Sequence, residues 1–383
     1  MKKLIAAFLA AAVITTCMGV YAETETNAYE AKAVFLSEAS TGQVLYAQNE
    51  NERLPIASVT KIMTLLLTAE ALESGTLTID TVIPASEHAS SMDGSVIWLN
   101  AGEEMTAYDL IRSVVIASAN DACVALAEYV GGGSEEKFVA LMNKKAKALG
   151  MENTNFVDCT GLTDDENHYS TAADVAKMAA ALRKYTYFDE FLLTRLTYVR
   201  EGTERETQLL NTNKLINKYE GLTGLKTGTT DSAGYCFVAT AKRSGMELVA
   251  VVLGAKDEDV RFDIAKKLLD WGFGGYELFC PSYDGNELLP ISVKHGIAKS
   301  VALEPAKEMS CLVPKGKSGE VTYLYDLPES IDAPVEKGER VGKIIVLLGD
   351  ETLFLCDVNA SESVEELTFF KSLEYLLKGL FCF

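Results

Sequence analysis

The sequence has 383 residues, room for two or three domains, and its 48% hydrophobic content is ordinary for a folded chain. Lys and Arg number 35 against 55 Asp and Glu, a net charge of -20 at pH 7. That acidic excess argues against nucleic acid as a partner and against polybasic membrane attachment, while leaving attachment through apolar surface open.

Residues 1–22 read as a secretory signal peptide. Lys2 and Lys3 form a basic start, Leu4 to Ile14 is apolar, and Val20-Tyr21-Ala22 suits cleavage before Glu23. The apolar run is short for a bilayer span. Ile14-Thr15-Thr16-Cys17 is a faint lipoprotein signal, weakened by Thr16. With Cys17 removed, seven cysteines remain, from Cys123 to Cys382. An odd, widely spaced set is not a small-domain disulfide framework. Disulfides stay open, but their pairing is not readable from sequence. Cys123 and Cys236 fall in apolar segments and read as small buried hydrophobes. No Cys/His cluster suggests a metal, and no cofactor is expected.

Ala31–Leu36 and Val44–Tyr46 read as strands of a hairpin turning at Ser40-Thr41-Gly42. Next comes LPIASVTKIMTLL, residues 54–66, where a helix starts near Ser58 and runs to Glu73 before Ser74-Gly75. Ser58 and Lys61 then lie one turn apart on one face. A lysine so placed can accept the serine proton if its pKa is lowered. Ser-x-x-Lys is common by chance, and alone it reads as an N-cap serine with a solvated lysine.

His88 reads as an exposed loop residue. Thr106 and Asp109 form a capping-box variant for a helix over Leu110–Ile116, which halts at Ser118-Ala119-Asn120. Helices follow over Asp121–Val130 and Glu135–Leu149, the second with Phe138, Leu141, Met142 and Leu149 inward. His168 lies in a polar stretch and is expected to order it, ahead of a helix from Ser170 or Thr171 to Leu182. Residues 195–217 are strand-like and linking. Lys226-Thr227-Gly228 opens a strand and lacks phosphate-loop spacing. Tyr235–Lys242 and Glu247–Leu253 form a meander through Arg243-Ser244-Gly245. Arg261–Trp271 is helical, with Gly272-Phe273-Gly274-Gly275 as its stop.

Composition then changes. Residues 276–360 hold short strand candidates, Glu287–Ser292, Lys299–Leu303, Val321–Leu327 and Val341–Leu348, broken by Gly, Pro and Asp. They read as a separate all-β domain. In the tail, Phe369, Leu373, Leu376, Leu380 and Phe383 share a helical face flanked by Phe370, Leu377 and Phe381, with Lys371, Glu374 and Lys378 opposite. The pattern suits an interfacial membrane helix, with docking on its own domain or a partner subunit as the other reading.

Three weak motifs stand in order: Ser58-Val59-Thr60-Lys61, Ser118-Ala119-Asn120 and Lys226-Thr227-Gly228. Together they are specific, since a serine acyl-transfer site uses all three. With AKAVFLSEASTGQVLYAQNENERLPIASVTKIMT, SANDACVALAE, FVALMNKKAKALGM, NTNKLI and GYCFVATAKRSGMELVAVVLGA, the chain resembles the low-molecular-mass penicillin-binding proteins that are serine-type D-alanyl-D-alanine carboxypeptidases. The resemblance covers about residues 28–383.

It implies an α/β (α+β) β-lactamase/transpeptidase-like domain, with a central antiparallel sheet flanked by helices. A small all-β domain and a C-terminal amphipathic helix follow. The expected division is signal peptide 1–22, catalytic domain 23–275, β-rich domain 276–362 and membrane-associating helix 363–383. The resemblance further implies an exported enzyme on the outer face of the bacterial cytoplasmic membrane. Its partners would be peptidoglycan stem peptides, with β-lactams as covalent inhibitors.

By the same resemblance, Ser58 is the nucleophile, Lys61 its base, Ser118 a proton relay and Asn120 a positioning group. Lys226 helps hold Lys61 neutral. Lys226 and Thr227, with Gly228 beside them, face the terminal carboxylate of the substrate, and Arg261 is a further candidate for that carboxylate. Backbone N–H groups of Ser58 and Thr229 form the oxyanion hole. Two positions depart from the common family form: Thr229 stands where tyrosine or histidine is frequent, and Cys159 where proline or another residue is more usual. The alternatives are a β-lactamase-like hydrolase and a non-catalytic envelope scaffold. Against the first, Glu166 lacks the pattern expected around a deacylating glutamate.

Overall fold

The structure is a computed structural model, described over residues 29–281 and 288–381. The expected signal peptide, Cys17, Cys382 and Phe383 lie outside the described residues. The chain forms two compact units, 1–272 and 273–383.

The first unit is built on a five-stranded antiparallel sheet. Its strands are β1 (Ala31–Glu38), β2 (Val44–Gln48), β7 (Leu222–Thr230), β8 (Gly234–Arg243) and β9 (Met246–Ala255), in the order β2-β1-β9-β8-β7. Strands β8 and β9 form the meander expected from sequence, and their apolar runs are buried on both faces. One face carries α1 (Lys61–Glu73), α3 (Ala107–Ala117), α4 (Asn120–Val130), α5 (Glu135–Ala148) and α6 (Ala172–Leu182), whose core takes in Val249, Val251 and Leu253 of β9. Side chains alternate along a strand, so neighbouring Leu248 faces the other way. There it meets α8 (Glu258–Gly275): a Cβ at Gly272 would lie 2.6 Å from its Cδ1. Two short pairs complete the unit, β3 (Val82–Pro84) with β4 (Glu104–Thr106) and β5 (Leu196–Val199) with β6 (Thr207–Leu210). Helices α2 (Glu87–Ser90) and α7 (Asp189–Leu193) are single turns.

Most helix starts follow their caps. The Thr106 and Thr171 hydroxyls accept from the N–H groups of Asp109 and Asp174. Four local expectations are corrected. Helix α8 begins three residues before Arg261 and continues through the glycines taken as its stop, because Gly272 provides close approach to the sheet rather than termination. Strand β7 starts at Leu222, which places Lys226-Thr227-Gly228 mid-strand. Leu141 of α5 is exposed. His88 sits in α2 and pairs with Glu135 at 2.6 Å.

The second unit has its own apolar core, including Val293, Val301, Val313, Ile344, Val346 and Val358. Tyr276–Phe279 pairs with Cys311–Pro314, and Ile291–Lys294 lies between Ser300–Val301 and Ser330–Asp332. A four-stranded sheet holds Leu303–Pro305, Glu351–Ala360, Arg340–Leu348 and Val321–Asp326 in that order. The expected strand at Glu287–Ser292 begins at Ile291, and Glu287 lies outside the described residues. The last element, α9, spans Phe369–Phe381.

Candidate active site

Ser58 lies in a 3-10 turn, Ala57–Thr60, that leads into α1. It makes no N-cap bond, and Lys61, the first residue of α1, is fully buried. Both halves of the chance reading of Ser-x-x-Lys therefore fail. The Lys61 Nζ lies 2.9 Å from Ser58 Oγ, 2.6 Å from Asn120 Oδ1 and 2.9 Å from the Thr160 carbonyl oxygen. An ammonium would donate to all three. A neutral amine has two hydrogens and a lone pair, so with Asn120 and Thr160 accepting, the lone pair is left for the Ser58 hydroxyl. Burial lowers the Lys61 pKa, against smaller opposing effects from Cys123, Cys159 and Asp158.

The second motif sits where α3 breaks. Ser118 takes φ +61°, a left-handed cap that turns its hydroxyl toward Lys226 Nζ, 2.9 Å away. Asn120 opens α4 and is fixed from both ends: its N–H donates to Ser95 O, and its Nδ2 donates to Asp93 O at 2.6 Å. The third motif runs along β7. Lys226 is buried and also donates to Thr227 O at 2.9 Å. Its pKa is pushed well down, first by burial, then by the Lys61 charge, with Arg261 adding to it. The Thr227 hydroxyl donates to Thr212 Oγ1 at 2.7 Å. A Cβ on Gly228 would lie 2.8 Å from Ile56 O and 3.1 Å from Ser58 N. Glycine is thus what lets β7 run against the serine turn.

Ser58, Ser118, Thr227, Gly228, Thr229 and Arg261 are among the residues lining one groove of about 320 Å³, and the buried Lys61 and Lys226 amines bond the Ser58 and Ser118 hydroxyls at its wall. Arg261 is buried with its Nη1 bonded to Gly228 O, Thr229 Oγ1 and Cys236 O. Its Nη2 meets Glu258 at 3.2 Å. Its bonds to protein thus run to the strand backbone, to Thr229 and to Glu258.

Several contributors went unread in the sequence. The carbonyls of Thr160, Asp93 and Ser95 are backbone groups and carry no side-chain signal. Thr212, Arg195 and Lys214 also line the groove; Thr212 and Lys214 belong to the NTNKLI segment that carries the resemblance, but no role was read for them, and Arg195 lies in a stretch read only as strand-like and linking. His168 has the ordering role expected of it. Its Nδ1 accepts the Val157 N–H at 3.2 Å, so Nε2 carries the hydrogen toward Thr60 Oγ1 at 2.8 Å. This ties the 155–170 loop, and with it Thr160, to the serine turn. Glu166 is exposed on the same loop.

A serine beside a buried lysine, a second serine beside a second buried lysine, and a groove edged by a strand are the arrangement of a serine acyl-transfer enzyme. A family model described as D-alanyl-D-alanine carboxypeptidase matches residues 20–257. A model of the penicillin-binding protein 5 C-terminal domain matches residues 276–366. The chain is 43% identical over 348 residues to D-alanyl-D-alanine carboxypeptidase DacF of Bacillus subtilis, covering 90% of this chain and 89% of the relative. It is 32% identical over 361 residues to DacA of Escherichia coli K12, covering 91% and 87%. The crystal structure of penicillin-binding protein 5 from Haemophilus influenzae matches with a TM-score of 0.82 at 32% identity, over 90% of this chain and 100% of that one. The chain belongs to the D-alanyl-D-alanine carboxypeptidase family: it is a serine-type, penicillin-binding enzyme of the extracytoplasmic space.

Proposed function

We propose that Ser58 is the residue acylated when the enzyme removes the terminal D-alanine from peptidoglycan pentapeptide stems. The observation that carries this assignment is the buried Lys61 amine with its three partners, one of them Ser58 Oγ at 2.9 Å. The terminal carboxylate of the substrate docks against Lys226 and Thr227, with Gly228 leaving room for the strand to approach. That carboxylate favours the ammonium on Lys226, whose proton burial otherwise disfavours, and like-charge repulsion then favours the neutral amine on Lys61.

Lys61 Nζ takes the Ser58 proton as Oγ bonds to the carbonyl carbon between the two D-alanines. The backbone N–H groups of Ser58 and Thr229 stabilise the oxyanion, charge that develops only as the tetrahedral intermediate forms. Asn120 holds Lys61 and the substrate amide. Ser118, bonded to Lys226, passes a proton to the departing D-alanine amine as the C–N bond breaks. Water then attacks the ester, its proton leaves by the same relay, and Ser58 is regenerated. Arg261 supports the carboxylate-binding edge by fixing Gly228 and Thr229.

β-Lactams acylate the same serine. Their leaving group stays tethered, and with Glu166 exposed no glutamate is assigned to drive deacylation, so the penicilloyl-enzyme breaks down slowly. The test is D-alanine release from a pentapeptide ending in D-alanyl-D-alanine, by the wild type and by Ser58→Ala. Release is expected from the wild type alone, and equal release from both would sink the assignment. Labelled penicillin released at many turnovers per second would instead favour the β-lactamase reading.

Helix α9 attaches the enzyme peripherally to the outer face of the cytoplasmic membrane. Phe369 and Phe370 are 75% and 80% exposed, and Leu373, Leu376 and Leu377 are also exposed, which supports this reading. Among the described residues no helix is long and apolar enough to cross a membrane.

A further inference from the structure

A second cavity, of about 400 Å³, lies between the segment around Trp98 and the β5–β6 hairpin. Its features have no part in the chemistry above. Trp98 is 68% exposed and takes φ +56°, a left-handed backbone that an L side chain rarely adopts. The surroundings enforce it. The N–H groups of Ile97 and Leu99 bond the buried carboxylate of Asp121 at 3.0 Å, and the Trp98 carbonyl accepts from Arg205. The indole is held in water by a fixed frame.

Arg200, also lining the cavity, has φ +58°. Its side chain is only 9% exposed. Its Nη1 donates to Ile97 O at 2.9 Å and to Thr207 Oγ1 at 3.1 Å, and its Nε bonds Glu103. Its Nη2 is buried and has no partner. Orphaned donors of this kind are uncommon in folded proteins, but this one is closed off from solvent and is not itself within reach of a ligand in the cavity.

The charges favour an uncharged ligand. Arg200 and Arg205 both pair with Glu103, and Glu206 lines the same cavity, so two cations face two anions. A flat, exposed aromatic face suits a sugar ring when it lies beside the Gln208 amide, whose Nε2 keeps one hydrogen beyond its bond to Tyr198 Oη at 3.1 Å, and the Thr207 hydroxyl, which donates to Arg205 O at 3.0 Å and keeps a lone pair. Such a ring has an apolar C–H face for the indole and hydroxyl or acetamido groups for these two partners.

The position links this cavity to the catalytic groove. Leu210 lines the groove and Thr207 the cavity, three residues apart on β6, which is about 10 Å of strand. Ser95 also lines the groove and Trp98, three residues on, the cavity.

We propose that this cavity is a carbohydrate subsite for an uncharged N-acetylated amino-sugar unit of the glycan that carries the stem peptides. The proposal rests on the carboxypeptidase reading for its choice of polymer. Its test begins with a probe independent of catalysis: saturation-transfer NMR with the tetramer of N-acetylglucosamine. Transfer to the sugar is expected from the wild type, from Ser58→Ala and from Trp98→Phe, and should be about tenfold weaker for Trp98→Ala. Trp98→Ala should release D-alanine from free pentapeptide at the wild-type rate and more slowly from polymeric peptidoglycan. No transfer from the wild type, or undiminished transfer from a folded Trp98→Ala, would overturn the proposal. Displacement of the sugar by an acidic glutamyl peptide would assign the cavity to peptide and overturn it as well. Failure of the catalytic reading is seen separately, as missing D-alanine release with sugar binding intact.

Discussion

The groove and the C-terminal helix depart from the ordinary burial pattern in opposite directions. The groove buries two lysines, Lys61 fully and Lys226 to 2% exposure. Helix α9 leaves two phenylalanines and three leucines exposed. Charged side chains are rarely buried unpaired, and clustered apolar ones are rarely left in water. The proposed function gives each exception a counterpart: a substrate carboxylate beside Lys226, and an apolar phase against α9. Burial lowers the lysine pKa values, as the proposed base requires; exposure leaves apolar surface able to partition.

The most damaging change to the groove is Lys61→Ala. It removes the proposed base and leaves Asn120 Oδ1 and the Thr160 carbonyl without their shared donor. Loss of a positioned general base typically costs on the order of 10² to 10⁴ in rate. Acylation by labelled penicillin should fall by that much. A loss below tenfold would remove Lys61 from its role.

The opposite exception is tested by deleting residues 369–383, which leaves Val364 in the core of the second unit. Burying an apolar side chain is worth roughly 1.5–3 kcal/mol when complete, so five partly inserted ones give partition free energy on the order of several kcal/mol. Sedimentation with anionic lipid vesicles should be lost, while D-alanine release from soluble pentapeptide should stay unchanged. Continued sedimentation of the truncated protein would show that α9 is not the anchor and would favour its docking on protein.

A finer test asks whether the two lysines act on each other. In the proposed mechanism neutral Lys61 is the active form, so acylation should rise with pH along a limb lying below the ordinary lysine value of 10.5. Lys61 charge lowers the Lys226 pKa, and such coupling is mutual, so the observed limb belongs to the pair. Replacing Lys226 with Gln removes the repulsion, and the limb should move to higher pH. An unmoved limb would leave burial alone as the cause of Lys61 neutrality.

The sequence makes these two regions legible to different depths. Ser58, Lys61, Ser118, Asn120 and Lys226 announce themselves because their chemistry is in side chains at short spacing. The rest of the groove does not. Thr160, Asp93 and Ser95 contribute carbonyl oxygens, which every residue has, and Thr212 meets Thr227 only through the fold. The glycines at 272–275 misled because glycine marks both a helix end and a close approach, and only the packing of Leu248 on Gly272 separates them. Helix α9 was readable as amphipathic, since its periodicity is local, but periodicity does not say what covers an apolar face.

The smallest expected effect concerns the loop that presents the Thr160 carbonyl to Lys61. His168 is neutral there, accepting from Val157 and donating to Thr60. Burial lowers its pKa below the ordinary 6.5, with Asp158 and Asp165 opposing. Above pH 6.5 the ring is neutral in folded and unfolded chains alike, so its contribution to stability is fully present. As pH falls below 6.5, the unfolded chain takes up a proton that the folded chain resists, so this contribution is lost down through the lower folded-state pKa. His168→Asn removes that titration. Its Tm should lie below the wild type at about pH 7.5, and the gap should narrow at about pH 5.5. The same loss should reach the groove, because Thr60 lies next to Lys61 and Thr160 lies on the loop that His168 fastens. Penicillin acylation by the variant should therefore slow severalfold at neutral pH, with Lys61 itself unchanged. A Tm gap of constant size across that range would mean that His168 fills space in the loop without its titration mattering to the fold.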